Sequence, residues 1–237
     1  MTRTSKKRSL WPASSSGTIE PKVLVEGLKV LFPDAACTLD FKTPFQCLVA
    51  TLLSAQCTDA KVNKVTPFLF EKYPDAKRMA EASIEDIESI IKSLGLYHAK
   101  ARNVLSLSRT LVEKFDGEVP FDFETLLKLP GVGKKTAGVV LAEVAARPAI
   151  PVDTHIKRVS ARLGIVKEGT EPEKVEAVLE SGIDKEEWIP FHHRFIAFGR
   201  NLCKAMKPEC ERCPFRDYCF YLRKASSKAA KKSKRGL

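Results

Sequence analysis

Apolar residues along this chain recur mainly at the three- and four-residue spacing of an α-helix, and alternating runs typical of strands are absent. The pattern predicts about ten helices joined by short connections, and therefore an all-α fold. The predicted helices cover residues 23–32, 44–55, 59–73, 84–94, 99–115, 123–129, 134–146, 154–163, 172–179 and 186–202.

Polar residues and helix breakers mark several predicted helix ends. Thr43, followed by proline and then Gln46, resembles a capping box. Ser83 precedes the next apolar-periodic run, and Gly95 after it is expected at the C′ position. Asp122 and Asp153 stand directly before two further runs and are expected N-caps.

Composition favours a folded protein without a membrane span. The chain has 237 residues, of which 44% are hydrophobic, enough for one or two packed domains. Its apolar runs are too short to cross a bilayer, and residues 1–17 lack the apolar region of a signal peptide. We therefore expect a reducing compartment, in which the seven cysteines are buried, catalytic or metal-binding rather than disulfide-linked.

The net charge of +11 comes from the two ends of the chain. Residues 1–10 contribute +4 and residues 223–237 contribute +7, so residues 11–222 are neutral in sum. The basic tails, 1–17 and 223–237, are predicted to be disordered and to add salt-sensitive attraction to phosphates or a localisation signal. Between them, acid-poor stretches at 92–112 and 129–164 contrast with acidic residues 165–187, as expected of a protein with one polyanion-facing side.

The most informative local motif is a glycine turn between two predicted helices, within Leu129–Ala137. Gly131 and Gly133 allow a tight turn and close approach of a ligand, and Val132 fills the gap between the helices. Backbone N–H groups at the start of the second helix, beside Lys134, suit a phosphate. An ordinary helical hairpin is the alternative. The arrangement is similar to the helix–hairpin–helix element that grips a DNA backbone.

Lys135 and Asp153 form a candidate catalytic pair. The helix from Lys135 rises about 16 Å, and the extended residues 147–153 can return up to roughly 23 Å, so the two side chains can meet. The helix dipole and the neighbouring lysine disfavour the charged form of Lys135, which favours its amine as a nucleophile. Together they suggest amine attack on a sugar C1′ supported by a carboxylate. The alternatives are an exposed helix lysine or phosphate contact, and an N-cap.

The cysteines divide into two groups. Cys37, Cys47 and Cys57 are scattered and are predicted to pack in the interior. The other four lie within 17 residues and can close around one tetrahedral sulfur centre, either zinc or iron–sulfur, between which the spacing alone does not choose. His192 and His193 nearby are interpreted as structural. The four clustered residues are Cys203, Cys210, Cys213 and Cys219.

The hairpin segment Leu129–Ala137, the segment Val152–Ile156 and the cysteine spacing together resemble endonuclease III, a bifunctional DNA glycosylase and AP lyase. The resemblance covers about residues 20–222. It implies that Lys135 and Asp153 are catalytic, and that the four clustered cysteines hold a [4Fe–4S] cluster rather than zinc.

The resemblance also implies DNA contacts. Gln56, in the segment Leu53–Asp59, matches the glutamine that fills the gap left by a flipped nucleotide. Leu96 matches a leucine that wedges into the duplex, and His155 matches a position close to DNA. The hairpin residues implied to grip the backbone are Gly131, Val132, Gly133, Lys134 and Thr136. Gly138 departs from the family, in which many members have asparagine on this helix.

The implied fold is a two-domain helix–hairpin–helix DNA glycosylase fold. A six-helix barrel is expected over 38–148, and a cluster domain over 18–37 plus 149–222, with the catalytic pair on facing walls of a cleft. The expected activity is removal of damaged pyrimidines followed by β-elimination. The expected partner is double-stranded DNA containing damaged pyrimidines or abasic sites, bound by a monomer in the bacterial nucleoid or a eukaryotic nucleus.

Three other functions remain open on the residues. A monofunctional mismatch glycosylase would share the fold but lack lyase chemistry. A non-catalytic DNA-binding module with a structural metal would explain the hairpin, the tails and the cysteines, but would leave Lys135 and Asp153 idle. An electron-transfer protein would explain the cysteines alone.

Overall fold

The computed structural model describes residues 17–145 and 147–224. Every regular element in these residues is helical, and no strand occurs among them, which confirms the all-α prediction. The α-helices are α1 (Pro21–Leu31), α2 (Pro44–Leu53), α3 (Asp59–Val62), α4 (Thr66–Lys72), α5 (Ala76–Ala80), α6 (Ile84–Ile91), α7 (Tyr97–Phe115), α8 (Phe123–Leu127), α9 (Lys134–Val144), α10 (Thr154–Arg162), α11 (Pro172–Gly182) and α12 (Trp188–Asn201). Short 3₁₀ turns cover Lys185–Glu187, Cys210–Arg212 and Arg216–Tyr218.

The predicted N-caps are confirmed by their hydrogen bonds. The hydroxyl of Thr43 accepts from the Gln46 amide at 3.2 Å and begins α2. The hydroxyl of Ser83 accepts from the third residue of α6 at 3.2 Å. The carboxylate of Asp122 accepts from the third residue of α8 at 2.9 Å. Each cap satisfies an amide that has no acceptor within its own helix.

The single helix predicted over residues 59–73 is wrong, because the segment divides into α3 and α4. Pro67 lies in the first turn of α4. Its nitrogen has no hydrogen to donate to the carbonyl four residues earlier, so a continuous helix would be interrupted there. Asn63 instead ends α3, and its side chain bonds the backbone of Thr38 and Asp40. The short helix α5 was not predicted at all.

Gly95 does not take the left-handed conformation that the sequence predicted for it. The left-handed residue is Leu96, with φ 59° and ψ 31°, which is the N-cap of α7. A non-glycine residue rarely adopts this conformation because its Cβ then crowds the backbone. The connection between α6 and α7 therefore carries strain at the residue whose side chain was predicted to contact DNA.

The predicted tails lie mostly outside the described residues, but their inner ends do not. Residues 220–224, which follow the last 3₁₀ turn, are helical and include Arg223 and Lys224 of the predicted C-terminal tail. The guanidinium of Arg223 donates to the carbonyls of Gly17 at 2.8 Å and Tyr218 at 3.0 Å. Gly17 is also ordered, with φ +72°. The first of these bonds ties Gly17, the first described residue, to a residue near the other end of the described chain.

The chain divides into two compact units, with breaks between residues 36 and 37 and between 149 and 150. The unit over 37–149 is built around α2, in which every residue from Phe45 to Leu53 is buried. A helix that is buried on all sides is expected only at the centre of a core. Helix α2 packs against α7 and α9, and α7 also packs against α5 and α6. With 19 residues, α7 is about 28 Å long and is the longest helix described.

The second unit contains the remaining described residues, 17–36 and 150–224. Helix α12 packs against α1 and α10, and α11 packs against α10. The core of this second unit is rich in aromatic rings. Four phenylalanines in it are fully buried: Phe191, Phe195, Phe198 and Phe215. No helix among the described residues combines the length and apolar character needed to cross a membrane.

Candidate functional site

The hairpin between α8 and α9 uses its two glycines differently. Gly131 has φ +75°, and a Cβ there would lie 3.0 Å from the side chain of Asn103. Gly133 is the N-cap of α9 with extended backbone, and a Cβ there would meet nothing within 4 Å. Val132 between them is 7% exposed and packs in the core, as predicted from the sequence. The turn is therefore anchored at Val132 and open beside Gly133.

Lys135 lies in the first turn of α9, and its side chain is exposed, as is that of Lys134. Thr136 on the same turn is half-buried. No side chain among the described residues caps α9, and the first-turn amides of a helix have no acceptors within it. This end of α9 therefore presents amide donors, a positive dipole end and two ammonium groups together, which suits a phosphate.

Asp153 is the N-cap of α10, the role that the sequence offered as the alternative to a catalytic carboxylate. Its Oδ1 accepts from the amides of His155 at 2.9 Å and Ile156 at 2.8 Å. Its Oδ2 lies 2.8 Å from Nδ1 of His155. The side chain of Asp153 is 12% exposed and that of His155 is 28% exposed. These contacts fix the orientation of a carboxylate that is largely buried.

Gln56 and Leu96 share an unusual pair of properties. Both are exposed, and both adopt left-handed backbone conformations, with φ 56° and 59°, as do the exposed Asp116 and Lys207 among the described non-glycine residues. Leu96 also leaves 62% of its surface in solvent. Strained non-glycine residues of this kind concentrate at functional sites. Neither the strain nor the shared conformation was visible in the sequence.

Of the three scattered cysteines predicted to pack in the interior, Cys47 is fully buried, whereas Cys37 and Cys57 are only half-buried against the same core. Cys57 is half-buried, and its Sγ accepts a hydrogen bond from Nζ of Lys100 at 3.0 Å. Lys100 is itself only 4% exposed. It therefore cannot belong to a basic surface over residues 92–112, contrary to what the sequence suggested.

The four clustered cysteines line one pocket in the unit that contains α10 and α12. The pocket is otherwise largely apolar, and neither His192 nor His193 contributes to its lining. Among the described residues, no three His, Cys, Asp or Glu side chains are arranged to hold a metal ion. The four cysteines nevertheless converge on one common space. Four thiols lining one pocket are a donor set that suits a metal centre, zinc or iron–sulfur.

Crowding and burial act on these thiols. Burial raises the pKa of Cys213 to about 11, and the neighbouring cysteines contribute to the rise. Burial, Cys219 and Cys203 raise the pKa of the Cys210 thiol as well. Four thiolates in one apolar pocket repel one another, and a bound cationic centre would relieve that repulsion.

Two arginines on one face of α10, neither marked by any motif in the sequence, hold the cysteine loop. Arg158 donates to the carbonyls of Gly199 and Cys203, at 2.7 and 3.1 Å. Arg162 donates to the carbonyls of Lys204 at 2.7 Å and Ala205 at 2.9 Å, and to the Cys203 Sγ at 3.4 Å. The four-residue spacing of the arginines was visible, but their acceptors lie more than 40 residues away in sequence. Several of their donors are therefore used to hold this loop.

The predicted site residues are distributed over both compact units. Lys135, the hairpin, Gln56 and Leu96 belong to the unit over 37–149. Asp153, His155 and the four cysteines belong to the other unit. Each unit thus contributes one member of the candidate catalytic pair.

Comparison with known proteins agrees with this geometry. Residues 49–185, more than half of the chain, match the family described as HhH-GPD superfamily base excision DNA repair protein. The class defined by the helical fold and the hairpin is therefore that of the helix–hairpin–helix base-excision repair proteins.

Within this class, endonuclease III of Synechocystis sp. is 49% identical over 193 residues, which cover 81% of this chain and 88% of the relative. Endonuclease III of Bacillus subtilis is 45% identical over 207 residues, covering 87% and 91%. A solved structure of a trapped endonuclease III–DNA covalent intermediate superposes with a TM-score of 0.83 at 47% identity, covering 86% of this chain and 96% of that one. The chain belongs to the endonuclease III family.

Proposed function

We propose that this protein is a base-excision DNA glycosylase that removes oxidised pyrimidines from duplex DNA and then cleaves the abasic strand as an AP lyase. The observation that carries the proposal is the position of Lys135, exposed in the first turn of α9 directly after the open hairpin. That position brings an amine next to a surface suited to a DNA phosphate. Membership in the endonuclease III family supports the same reaction.

DNA would be held by its backbone and opened by two exposed side chains. Gly133 leaves space for a phosphate to approach the amides of α9, and Lys134 adds a positive charge. Leu96, with its apolar side chain in solvent, would wedge into the base stack, and Gln56 would occupy the position of the flipped nucleotide. A damaged base costs less to unstack, which supports selection of lesions.

Lys135 would act as the nucleophile. Its neutral amine attacks C1′ of the flipped nucleotide, the new N–C1′ bond forms, and the C1′–N bond to the damaged base breaks. Ring opening of the sugar gives a Schiff base between Lys135 and C1′. Loss of a C2′ proton then expels the 3′ phosphate by β-elimination, and water releases the enzyme. A trapped covalent DNA complex of a relative at 47% identity is consistent with this chemistry.

Asp153 would support departure of the base. Its carboxylate is fixed by the amides of His155 and Ile156, so that its negative charge needs no reorganisation as positive charge develops on the sugar. His155, in contact with the same carboxylate and partly exposed, would approach the DNA beside it.

A [4Fe–4S] cluster would be held by Cys203, Cys210, Cys213 and Cys219. When bound, it would supply a structural link between the thiolates rather than redox or hydrolytic chemistry. Arg158 and Arg162 keep the loop that presents the first of these cysteines against α10. That loop also carries Lys204 and Lys207, which would lie near DNA phosphates.

Borohydride trapping tests the proposal. Cluster-loaded protein is incubated with a duplex that carries thymine glycol or an abasic site, borohydride is added, and the covalent complex is measured. We expect an adduct with the wild-type protein and none with Lys135→Gln, because glutamine has no nucleophilic amine. Lys134→Gln, one residue away, should still give the adduct with weaker DNA binding.

The outcomes separate the rival functions. Free base without an adduct would contradict the lyase assignment and indicate a monofunctional glycosylase. DNA binding with neither adduct nor free base would indicate a binding module. An adduct that persists in Lys135→Gln would assign the nucleophile to another residue.

A further inference from the structure

Lys100 and Cys57 form a buried pair that the proposed reaction does not use. Lys100 lies in the first turn of α7 and is 4% exposed, and its Nζ donates to Sγ of Cys57 at 3.0 Å. No carboxylate among the described residues forms an ion pair with Lys100. A buried ammonium without an anionic partner is costly. Ionisation of the adjacent thiol would remove that cost.

The surroundings of Cys57 favour its thiolate. Burial by itself would raise the pKa of the Cys57 thiol, but hydrogen bonds from Lys100 and the Gly95 backbone, with the positive charges of Lys100 and Lys61, lower it below its ordinary value. Cys57 is also partly accessible to solvent. A thiolate that is stabilised by cations and reachable from solvent is the reactive form of cysteine. Cys47 is the opposite case, because burial raises its pKa to about 12.

The pair lies between the two strained positions predicted to contact DNA. Cys57 directly follows Gln56. Its sulfur lies beside Gly95, 4.0 Å from where a Cβ would stand, and Gly95 directly precedes Leu96. The amide of Lys100 donates to the carbonyl of Leu96 at 3.0 Å. The sulfur thus connects the turn that presents Gln56 with the turn that presents Leu96.

We propose that Cys57, activated by Lys100, is a peroxide-sensitive modification site that controls the two turns. The thiolate sulfur attacks one oxygen of hydrogen peroxide and forms an S–O bond, while the O–O bond breaks. Hydroxide leaves and takes up a proton as water. The sulfur is oxidised by two electrons to a sulfenic acid, and the peroxide is reduced.

The modification acts through the Lys100 contact. At 3.0 Å, Sγ and Nζ leave no room for another atom between them. The oxygen of the sulfenic acid is a stronger acceptor than sulfur, so it accepts the hydrogen bond of the Lys100 ammonium in place of Sγ. The Gln56 and Leu96 turns then lose their shared contact. This effect on lesion excision rests on the proposed function, whereas the chemistry at Cys57 does not.

Chemical labelling tests the site itself. Cluster-loaded wild-type protein is treated with hydrogen peroxide in the presence of dimedone, and tryptic peptides are quantified by mass spectrometry. We expect Cys57 to be labelled at least about tenfold faster than Cys47. In Lys100→Met, with folding verified by thermal unfolding, labelling of Cys57 should slow by roughly threefold or more. Equal labelling of Cys57 and Cys47 in the wild-type protein would overturn the proposal without reference to any variant.

Excision assays test the consequence. Peroxide should lower the rate at which wild-type protein excises thymine glycol, and dithiothreitol should restore it. Cys57→Ala, whatever its own baseline rate, should not respond to peroxide, and Cys37→Ser should respond like the wild-type protein. If peroxide lowers the excision rate of Cys57→Ala as much as that of the wild-type protein, control through Cys57 is excluded. If Cys57 is labelled but the untreated protein excises no thymine glycol, the proposed function is contradicted and the modification site is not.

Discussion

At the scale of single residues, the glycines of the hairpin illustrate how one motif contains two different constraints. Gly131 is required by backbone conformation and by the nearby side chain of Asn103. Gly133 has neither restriction, so its lack of a side chain matters only to a molecule that approaches α9 from outside. Stability and DNA binding should therefore respond differently at the two positions.

Gly131→Ala and Gly133→Ala form a matched pair. Gly131→Ala should lower the free energy of unfolding by about 1–2 kcal/mol, because alanine is strained at positive φ. Gly133→Ala should change stability by less than about 0.5 kcal/mol but weaken binding to duplex DNA. Chemical denaturation and a fluorescence binding titration measure both quantities. Equal losses of stability in the two variants would contradict this division.

Asp153 combines a cap with a proposed catalytic carboxylate, and two substitutions separate these roles. Asp153→Asn retains a good N-cap and should leave stability nearly unchanged, whereas Asp153→Ala should lose about 1 kcal/mol. Both should strongly reduce base release under single-turnover conditions, since neither has a negative charge. Normal base release by Asp153→Asn would mean that the residue is only a cap.

At the scale of elements, α11 has an acidic face that is unfavourable at neutral pH. Burial raises the pKa of Glu176 to about 7, and Glu180 and Glu173 add to the effect. Burial also raises the pKa of Glu180, although the Ile150 amide opposes this. In the unfolded chain a glutamate titrates near its ordinary value of 4.5. The folded protein therefore binds more protons between these pH values, and stability falls as pH rises from about 4.5 to 7.

Glu176→Gln should remove part of this pH dependence. We expect the variant to match the wild-type protein near pH 5 and to be more stable by about 1–2 kcal/mol near pH 8, after allowance for partial exposure. Thermal unfolding at both pH values measures the difference. Glu186→Gln, at an exposed position, is the control and should give no such gain. A Glu176→Gln gain that is equal at both pH values would point to packing rather than ionisation.

At the scale of the whole molecule, the excess positive charge lies at the ends of the chain and the proposed chemistry lies between them. Residues 11–222 are neutral in sum. Within the basic stretch 129–164, Arg158 and Arg162 donate hydrogen bonds to backbone carbonyls of the cysteine loop. General attraction to DNA should therefore depend more on the terminal residues than the charge map of the central region suggests.

Deletion of residues 226–237 tests this division. The deletion removes five basic residues and no acidic one. We expect the slope of log Kd for duplex DNA against log salt concentration to become shallower by roughly 1–3. The single-turnover excision rate at saturating protein should stay unchanged. A full-length variant with glutamine at the same five positions controls for chain length, and an unchanged salt slope in both proteins would exclude the terminal charges from binding.

Much of the local structure was predictable because it depends on neighbours in sequence. Thr43, Ser83 and Asp122 cap helices through bonds to amides three residues away, which a sequence displays directly. The interruption near Pro67 was not predicted because apolar residues continue at helical spacing on both sides of it. Only the missing N–H of the proline marks the break. The short α5 has only five residues, too few for a clear periodic pattern.

The sequence by itself determined the all-α class, the hairpin motif, the family and the four clustered cysteines, because each rests on residue types at fixed short spacing. Only the tertiary structure decided that Leu96 rather than Gly95 is left-handed, that Lys100 is buried against Cys57, and that Arg158 and Arg162 bind the cysteine loop. These features arise between residues that lie far apart in the chain, or from backbone conformations imposed by packing. Their energies depend on burial and distance, which chain order does not contain.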